Sequence, residues 1–221
     1  MVVLATMSDA IIKKFQGSYL PHWRKKDGIY FVTFRLAGSV PSHLKKNRED
    51  LRKEIFDNAA RTGREFSKQE LDMLEEIHFE EIRLAPKDLN HRFLKDERIA
   101  KMLADAFVHF DSKRYQLLAW CIMPNHVHIV FRPLADEEVP KILQSWKGFS
   151  AREANKILGR TGKFWHEEYY DHLVRNEKQL FRCIEYTWMN PDKAGLKNWK
   201  WRWKAEEKEI AKACELLIAT A

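Results

Sequence analysis

The sequence predicts an α+β fold, an antiparallel sheet with helices packed on one face, and three features predict it. Residues 29–36 are β-rich and apolar, and they follow the turn signal Lys25-Lys26-Asp27-Gly28. Residues 115–123 are a nearly continuous apolar run, as in a strand buried on both sides, and Pro124-Asn125 turns the chain back into a second run ending at Phe131. Around that pair lie stretches with apolar residues at helical spacing. Strand, helix, strand pair, helix is the order of an α+β sandwich.

In the first strand Tyr30, Val32, Phe34 and Leu36 take one face, and Gly38 ends it. Residues 40–84 read as two charged helices. Pro41 suits a first turn, and Leu44, Leu51 and Ile55 mark a thin stripe that Thr62-Gly63 breaks. Ser67-Lys68-Gln69-Glu70 is a capping box for a second helix with Leu71, Leu74 and Ile77 inward. The pair is too polar to be a core of its own, so it reads as an insertion packed on the main domain.

Asp96 caps a helix with Ile99, Leu103, Ala106 and Phe110 on its inner face. From residue 138 to 159 Ile142, Trp146, Phe149 and Ile157 recur, with Ser150 as a cap for a restart after Gly148. Lys141, Lys147, Arg152, Lys156 and Arg160 give this helix a basic side. Asn176-Glu177-Lys178-Gln179 is a further capping box, opening a helix that Pro191 limits. Trp199 to Lys204 alternates tryptophan with cations, as a platform for stacked bases and phosphates or as an edge strand packing its indoles, and a charged amphipathic helix comes after it.

A hydrophobic content of 45% with 12% aromatics supports a packed core over 221 residues. The net charge of +7 is compatible with a polyanionic partner. Cys121, Cys183 and Cys214 are odd in number and widely spaced, which argues against a disulfide framework and for a reducing compartment. The apolar start at residues 1–5 is too short for a signal peptide or a span, and no later stretch approaches one. The expectation is a cytoplasmic protein with no membrane association.

The chemistry centres on Pro124-Asn125-His126-Val127-His128. On a strand His126 and His128 share a face with Val130, while Val127, Ile129 and Phe131 point the other way. Two imidazoles so placed can ligate one metal ion, or can be ordinary hydrogen-bonded strand residues. Near the end of the helix that begins at Glu177, Tyr186 lies about 200° around from Ile184 at about 100° per residue, outside the stripe of Leu180, Ile184 and Thr187. Asn190 comes one turn later on the same face as Tyr186. Tyr169 and Tyr170 are rival nucleophiles.

Residues 120–131 with that histidine pair, Phe164-Trp165, Tyr169-Tyr170-Asp171-His172, Tyr186 through Asn190-Pro191 and Lys193-Ala194-Gly195-Leu196 occur in an order that resembles the HUH single-tyrosine transposases. The branch they most resemble is the REP-associated tyrosine transposases. Leu20-Pro21-His22-Trp23 and the strand at 30–36 extend the likeness over roughly residues 20–196. It implies a ferredoxin-like sheet, with the histidines on a central strand and the tyrosine on a following helix. It also implies Mg²⁺ or Mn²⁺ held by His126, His128 and, by position, Asn190, with Tyr186 as the catalytic nucleophile. The sequence departs from the pattern at Thr187, where isoleucine commonly follows the tyrosine, and at His166, where glutamine is usual.

The activity this resemblance implies is that of a metal-dependent endonuclease and strand transferase acting on single-stranded or hairpin DNA, with a 5′-phosphotyrosine intermediate. Lys147, Arg152, Lys156 and Trp201 are the residues expected to touch the DNA. The domain would run over residues 1–196, with 40–84 as its insertion and 197–221 as a tail and C-terminal helix. A homodimer is compatible with the family, which includes monomers and dimers. The rival from another class is a non-catalytic, domesticated hairpin-DNA-binding protein. Other two-histidine chemistries fit worse. A metallo-β-lactamase-like site needs an Asp-His pair soon after the second histidine, and a zinc enzyme a third strong ligand nearby.

Overall fold

A computed structural model of the chain describes residues 13–16, 21–38 and 92–219, together with separate positions between 50 and 80. In chain order the named elements are β1 (Lys13–Gln16), β2 (Pro21–Arg24), β3 (Ile29–Arg35), α1 (Glu97–Val108), β4 (Tyr115–Ile122), β5 (His126–Pro133), α2 (Val139–Ile157), β6 (Tyr170–Val174), α3 (Glu177–Lys193), β7 (Arg202–Lys204) and α4 (Glu207–Ala219). β1 and β2 pair with each other. The other five strands form one open sheet in the order β6-β3-β5-β4-β7, with every neighbour antiparallel. The α+β antiparallel sheet expected from the sequence is therefore the fold, and residues 202–204 are its edge strand.

Helices cover both faces of this sheet, not one. Tyr30, Val32 and Phe34 of β3 and Val127, Ile129 and Phe131 of β5 pack on Ile99, Leu103 and Phe107 of α1 and on Ile142 and Trp146 of α2. On the opposite face Ile29, Phe31 and Val130 meet Leu180 and Ile184 of α3, Ile210 and Leu217 of α4, and Ile55 and Leu74. The reason is legible in β3, whose seven residues are all buried, because a strand apolar on both sides must be covered on both. Each fully buried aromatic or aliphatic side chain here contributes about 1.5–3 kcal/mol. Tyr115 links the layers on the first face. Its hydroxyl donates to the Phe107 carbonyl at 2.8 Å and accepts from Trp146 Nε1 at 2.9 Å.

Local signals held unevenly. Asp96 accepts from Arg98 N at 2.9 Å and Asn176 from Gln179 N at 2.9 Å, so both caps form. The Ser67–Glu70 box closes both ways, Ser67 N donating to Glu70 Oε2 at 2.8 Å and Glu70 N to Ser67 Oγ at 3.2 Å. Ile55, Leu74 and Ile77 are buried as expected, whereas Pro41, Leu44, Gly63 and Leu71 lie outside the described residues. In α1 the inner position goes to Phe107, and Phe110 lies beyond the helix, 37% exposed. α2 does not restart at Ser150. That hydroxyl is buried, donating to the Trp146 carbonyl at 2.6 Å and accepting from Trp165 Nε1 at 2.9 Å, which keeps the helix continuous. Phe149 correspondingly faces outward at 42% exposure. α3 runs two residues past Pro191, which falls within its last turn.

Candidate active site

The histidine pair opens β5 straight after the turn, where Met123 N donates to the His126 carbonyl at 2.8 Å. A bulge at Leu118 re-phases β4, so Trp120 and Ile122 join the α1–α2 face while Cys121 stands opposite His128. His126 Nδ1 lies 2.7 Å from Asn125 Oδ1, which can only accept, so the proton of that imidazole sits on Nδ1. Burial pushes the His126 pKa down to about 3, and the ring is neutral with its Nε2 lone pair free. Nε2 of His126 and Nε2 of His128 are 3.0 Å apart, with the rings crossed at 77°. His128 Nδ1 lies 2.8 Å from Thr33 Oγ1 on β3, the strand alongside.

This arrangement fits a metal ion. Two lone pairs facing each other at 3.0 Å repel unless a proton or a cation lies between them. With a proton on His128 Nε2, the Thr33 hydroxyl donates to Nδ1. With a cation, His128 holds its proton on Nδ1 and the hydroxyl accepts. A hydroxyl serves both cases because it donates and accepts. For bonds of about 2.1 Å, adjacent donors of an octahedral shell stand about 3.0 Å apart and those of a tetrahedral shell about 3.4 Å. Among the described residues no third histidine, cysteine or carboxylate completes a metal-holding group with the pair.

Tyr186 projects from the flank of α3 over this pair. Its ring lies 5.2 Å from the His128 ring at 77° and 5.8 Å from Phe31 at 85°, and Phe31 in turn stacks on His128 at 5.6 Å and 16°. Lys193 places its ammonium 5.9 Å from the Tyr186 ring centre. Tyr186 is half-buried, beside rather than within the stripe of Leu180, Ile184 and Thr187, as its helical angle requires. Asn190 is half-buried one turn further along the same flank. Its carbonyl accepts from Ala194 N at 3.0 Å, which leaves the carboxamide outside the helix hydrogen bonding.

The rival tyrosines part company. Tyr170 pairs in register with Thr33 and is buried on the Tyr186 face, its ring 6.2 Å from Phe31. Tyr169 packs against the opposite core, accepts from Arg24 Nη2 at 3.1 Å, and has its pKa pushed up to about 12 by burial. His166 donates its backbone N–H to the Arg35 carbonyl at 2.8 Å, which puts it at the His126 end of β3.

Of the residues expected to contact DNA, Lys147 is turned inward. It donates to the Glu167 carbonyl at 2.6 Å and lies 5.8 Å from the Tyr169 ring centre. Lys156 pairs with Glu153 at 2.8 Å. Trp201 packs against the core, with Lys200 above its ring at 5.0 Å. Arg152 is exposed and borders an open groove of about 600 Å³ with Phe110 and Phe149, on the sheet face away from the histidines.

Sequence reasoning overlooked Thr33, Arg35 and Phe31, all on β3. The signal was present. The face of β3 opposite Tyr30, Val32, Phe34 and Leu36 alternates Phe31, Thr33 and Arg35, and two polar residues on a strand buried on both sides call for partners.

The family model described as "Transposase IS200 like" matches residues 86–186, a stretch that ends on Tyr186. A Haemophilus influenzae protein assigned as a REP-associated tyrosine transposase is 25% identical over 99 residues, 38% of this chain and 56% of that one. The REP-associated tyrosine transposase of Escherichia coli K12 is 24% identical over 97 residues, 43% of this chain and 56% of that one. The chain thus spans little more than half the length of these curated relatives. A solved structure of a REP-associated tyrosine transposase bound to a REP hairpin superimposes with a TM-score of 0.49 and 15% identity, covering 91% of this chain and 87% of that one. Residues 86–186 of the chain are thus similar to the IS200-like transposase family, and the curated relatives they resemble are REP-associated tyrosine transposases.

Proposed function

We propose that this protein is a metal-dependent endonuclease and strand transferase for single-stranded, hairpin-forming DNA, with Tyr186 as its nucleophile. The observation that carries the reading is the Tyr186 ring 5.2 Å from His128, on the face where the two Nε2 atoms converge. His126, His128 and the Asn190 carboxamide would hold Mg²⁺ or Mn²⁺, which supplies charge relief on a nonbridging phosphate oxygen. The Tyr186 oxygen attacks phosphorus, a new P–O bond forms to tyrosine, and the bond to the 3′ oxygen breaks. The phenol proton passes to solvent and the departing 3′ oxygen takes one up, leaving a 5′-phosphotyrosine and a free 3′-hydroxyl. Attack by another 3′-hydroxyl reverses the step, so rejoining needs no nucleotide cofactor. The half-burial of Tyr186 between Phe31 and Lys193 holds the ring in place, which lowers the entropic part of the barrier. We assign Arg152, Lys147, Lys156 and Trp201 to the DNA-contacting surface; Arg152 is exposed, and Lys147 and Trp201 would turn out to DNA from the contacts they make in the free protein.

The test incubates a labelled hairpin-bearing single strand with Mg²⁺ or Mn²⁺ and looks for a covalent adduct on a denaturing protein gel. The expected adduct forms with the wild type and disappears in Tyr186→Phe and His126→Ala. An adduct that persists in Tyr186→Phe moves the chemistry to Tyr170, the tyrosine on the same face. Tight binding with no wild-type adduct under either metal replaces this reading with a non-catalytic hairpin-binding protein.

A further inference from the structure

Lys193-Ala194-Gly195-Leu196 ends α3, and the backbone accounts for only part of that stretch. Gly195 N donates to the Asp192 carbonyl at 3.0 Å and Leu196 N to the Pro191 carbonyl at 2.9 Å, the paired bonds of a Schellman cap. Such a cap turns on a left-handed residue, and Gly195 supplies it with a φ of 71°. The Lys193 side chain has no part in this. A lysine in a last turn is favoured by the helix dipole, which asks only that the charge lie near the helix end. The Lys193 ammonium instead lies back over the Tyr186 ring, 5.9 Å from its centre. Tyr186, Asn190 and Lys193 are spaced i, i+4 and i+7, so at about 100° per residue they fall within about 60° of one another. Helical side chains lean toward the N-terminus, which carries a long one back along this flank to the tyrosine.

The surroundings leave this charge its strength. One turn before Lys193 stand Met189 and Asn190, both neutral, and the adjacent carboxylate of Asp192 is engaged by Arg202. The other cations at this end of α3 are turned elsewhere. Arg202 also donates to the Trp188 carbonyl at 2.9 Å, and Lys204 lies over the Trp188 ring at 5.4 Å. Lys193 is exposed, so its ammonium reaches a ligand arriving from solvent without first leaving a buried place. An ammonium is a compact point charge with three donors, suited to a single phosphate oxygen. Once the Tyr186 oxygen joins phosphorus, the nonbridging oxygens ride on the very ring that the ammonium overlies. We propose that Lys193 is a catalytic residue whose ammonium contacts a nonbridging oxygen of the scissile phosphate, and holds it in the phosphotyrosine that follows. The inference rests on the Tyr186 reading above.

The experiment measures single-turnover adduct formation with Mn²⁺ by wild type, Lys193→Gln and Lys193→Arg. Labelled hairpin-bearing strands carry either phosphodiesters throughout, an uncharged methylphosphonate at the scissile position, or a methylphosphonate one position away. On the phosphodiester strand Lys193→Gln should be slower by about 10²-fold. That is the lower end of the range for loss of one transition-state donor, as suits an exposed ammonium. Lys193→Arg keeps the charge and should recover most of the rate. With the methylphosphonate at the scissile position the penalty for Lys193→Gln shrinks, because the charge that Lys193 meets has gone. With it one position away the penalty stays. A role confined to the helix end would impose one loss on every strand. Equal losses on every strand, an unchanged rate, or a penalty that shrinks only for the displaced methylphosphonate each overturn the proposal. A Lys193→Gln that melts below wild type is judged by the same ratios, since a folding loss is common to all strands. Failure of the wild type to form an adduct overturns the Tyr186 reading, and this proposal with it. A wild-type adduct with equal losses overturns this proposal alone.

Discussion

Thr33→Val removes one oxygen from the centre of the site and leaves the strand's shape intact. Thr33 and His128 are both fully buried, and their contact is 2.8 Å. No water replaces the hydroxyl at such a place without opening the sheet, so His128 Nδ1 is left unsatisfied. The cost of that orphan is about 1–3 kcal/mol of folding stability. Were the proposed ion bound, the same hydroxyl would accept from Nδ1–H and fix the tautomer that leaves the Nε2 lone pair to the ion. Losing such a partner lowers metal affinity about 10–100-fold. The assay is calorimetric titration with Mn²⁺, with thermal melts run beside it, for wild type, Thr33→Val and Thr33→Ser. Thr33→Ser keeps the hydroxyl and should bind close to wild type. A folded Thr33→Val that binds Mn²⁺ as tightly as wild type would refute the tautomer reasoning. So would a Thr33→Ser that loses as much as Thr33→Val.

Two further outcomes concern the frame around the site. Burial holds the Lys147 pKa down to about 8, below its unfolded value near 10.5, so between those pH values the unfolded chain binds more protons than the folded one. Stability contributed by Lys147 therefore rises with pH across that window. The melting temperature of wild type relative to Lys147→Met should climb from pH 8 to 10.5, and a flat or falling difference would contradict the burial. Tyr115→Phe leaves Trp146 Nε1–H and the Phe107 carbonyl without their shared partner, at a cost of about 1–3 kcal/mol in urea unfolding. A change below about 0.5 kcal/mol, the usual size for surface substitutions, would show that the network relaxes around the gap.

The sheet was legible because its strands are apolar runs bounded by Gly and Pro, and the His126–His128 spacing alone put both rings on one side. The second helical layer was missed because attention to Tyr30, Val32 and Phe34 ignored Ile29 and Phe31, which are as fully apolar on the other face. Tyr186 was placed correctly off the buried stripe by helical angle, yet only folding shows that its ring returns to His128. Register is what pattern reading lacks. Arg35 opposite His126 and Thr33 opposite His128 are pairings across about ninety residues, and single-chain periodicity carries no information on which strand lies beside which. Lys147 illustrates the same limit. It sits on a basic helix, but its ammonium turns to a carbonyl on another segment.

The position of β3 sets the timetable of synthesis. Both of its partners in the sheet, β5 and β6, come after it in the chain, the nearer by about ninety residues. At about 5–20 residues per second, that is roughly 5–20 s during which an apolar, β-prone segment has left the ribosome with no strand to pair with. Thr33 and Arg35 are the polar interruptions in it, spaced to spoil self-stacking of the kind that seeds aggregates. The two residues that stand opposite the histidines in the finished sheet are thus also the ones that keep the nascent strand apart from its copies while it waits.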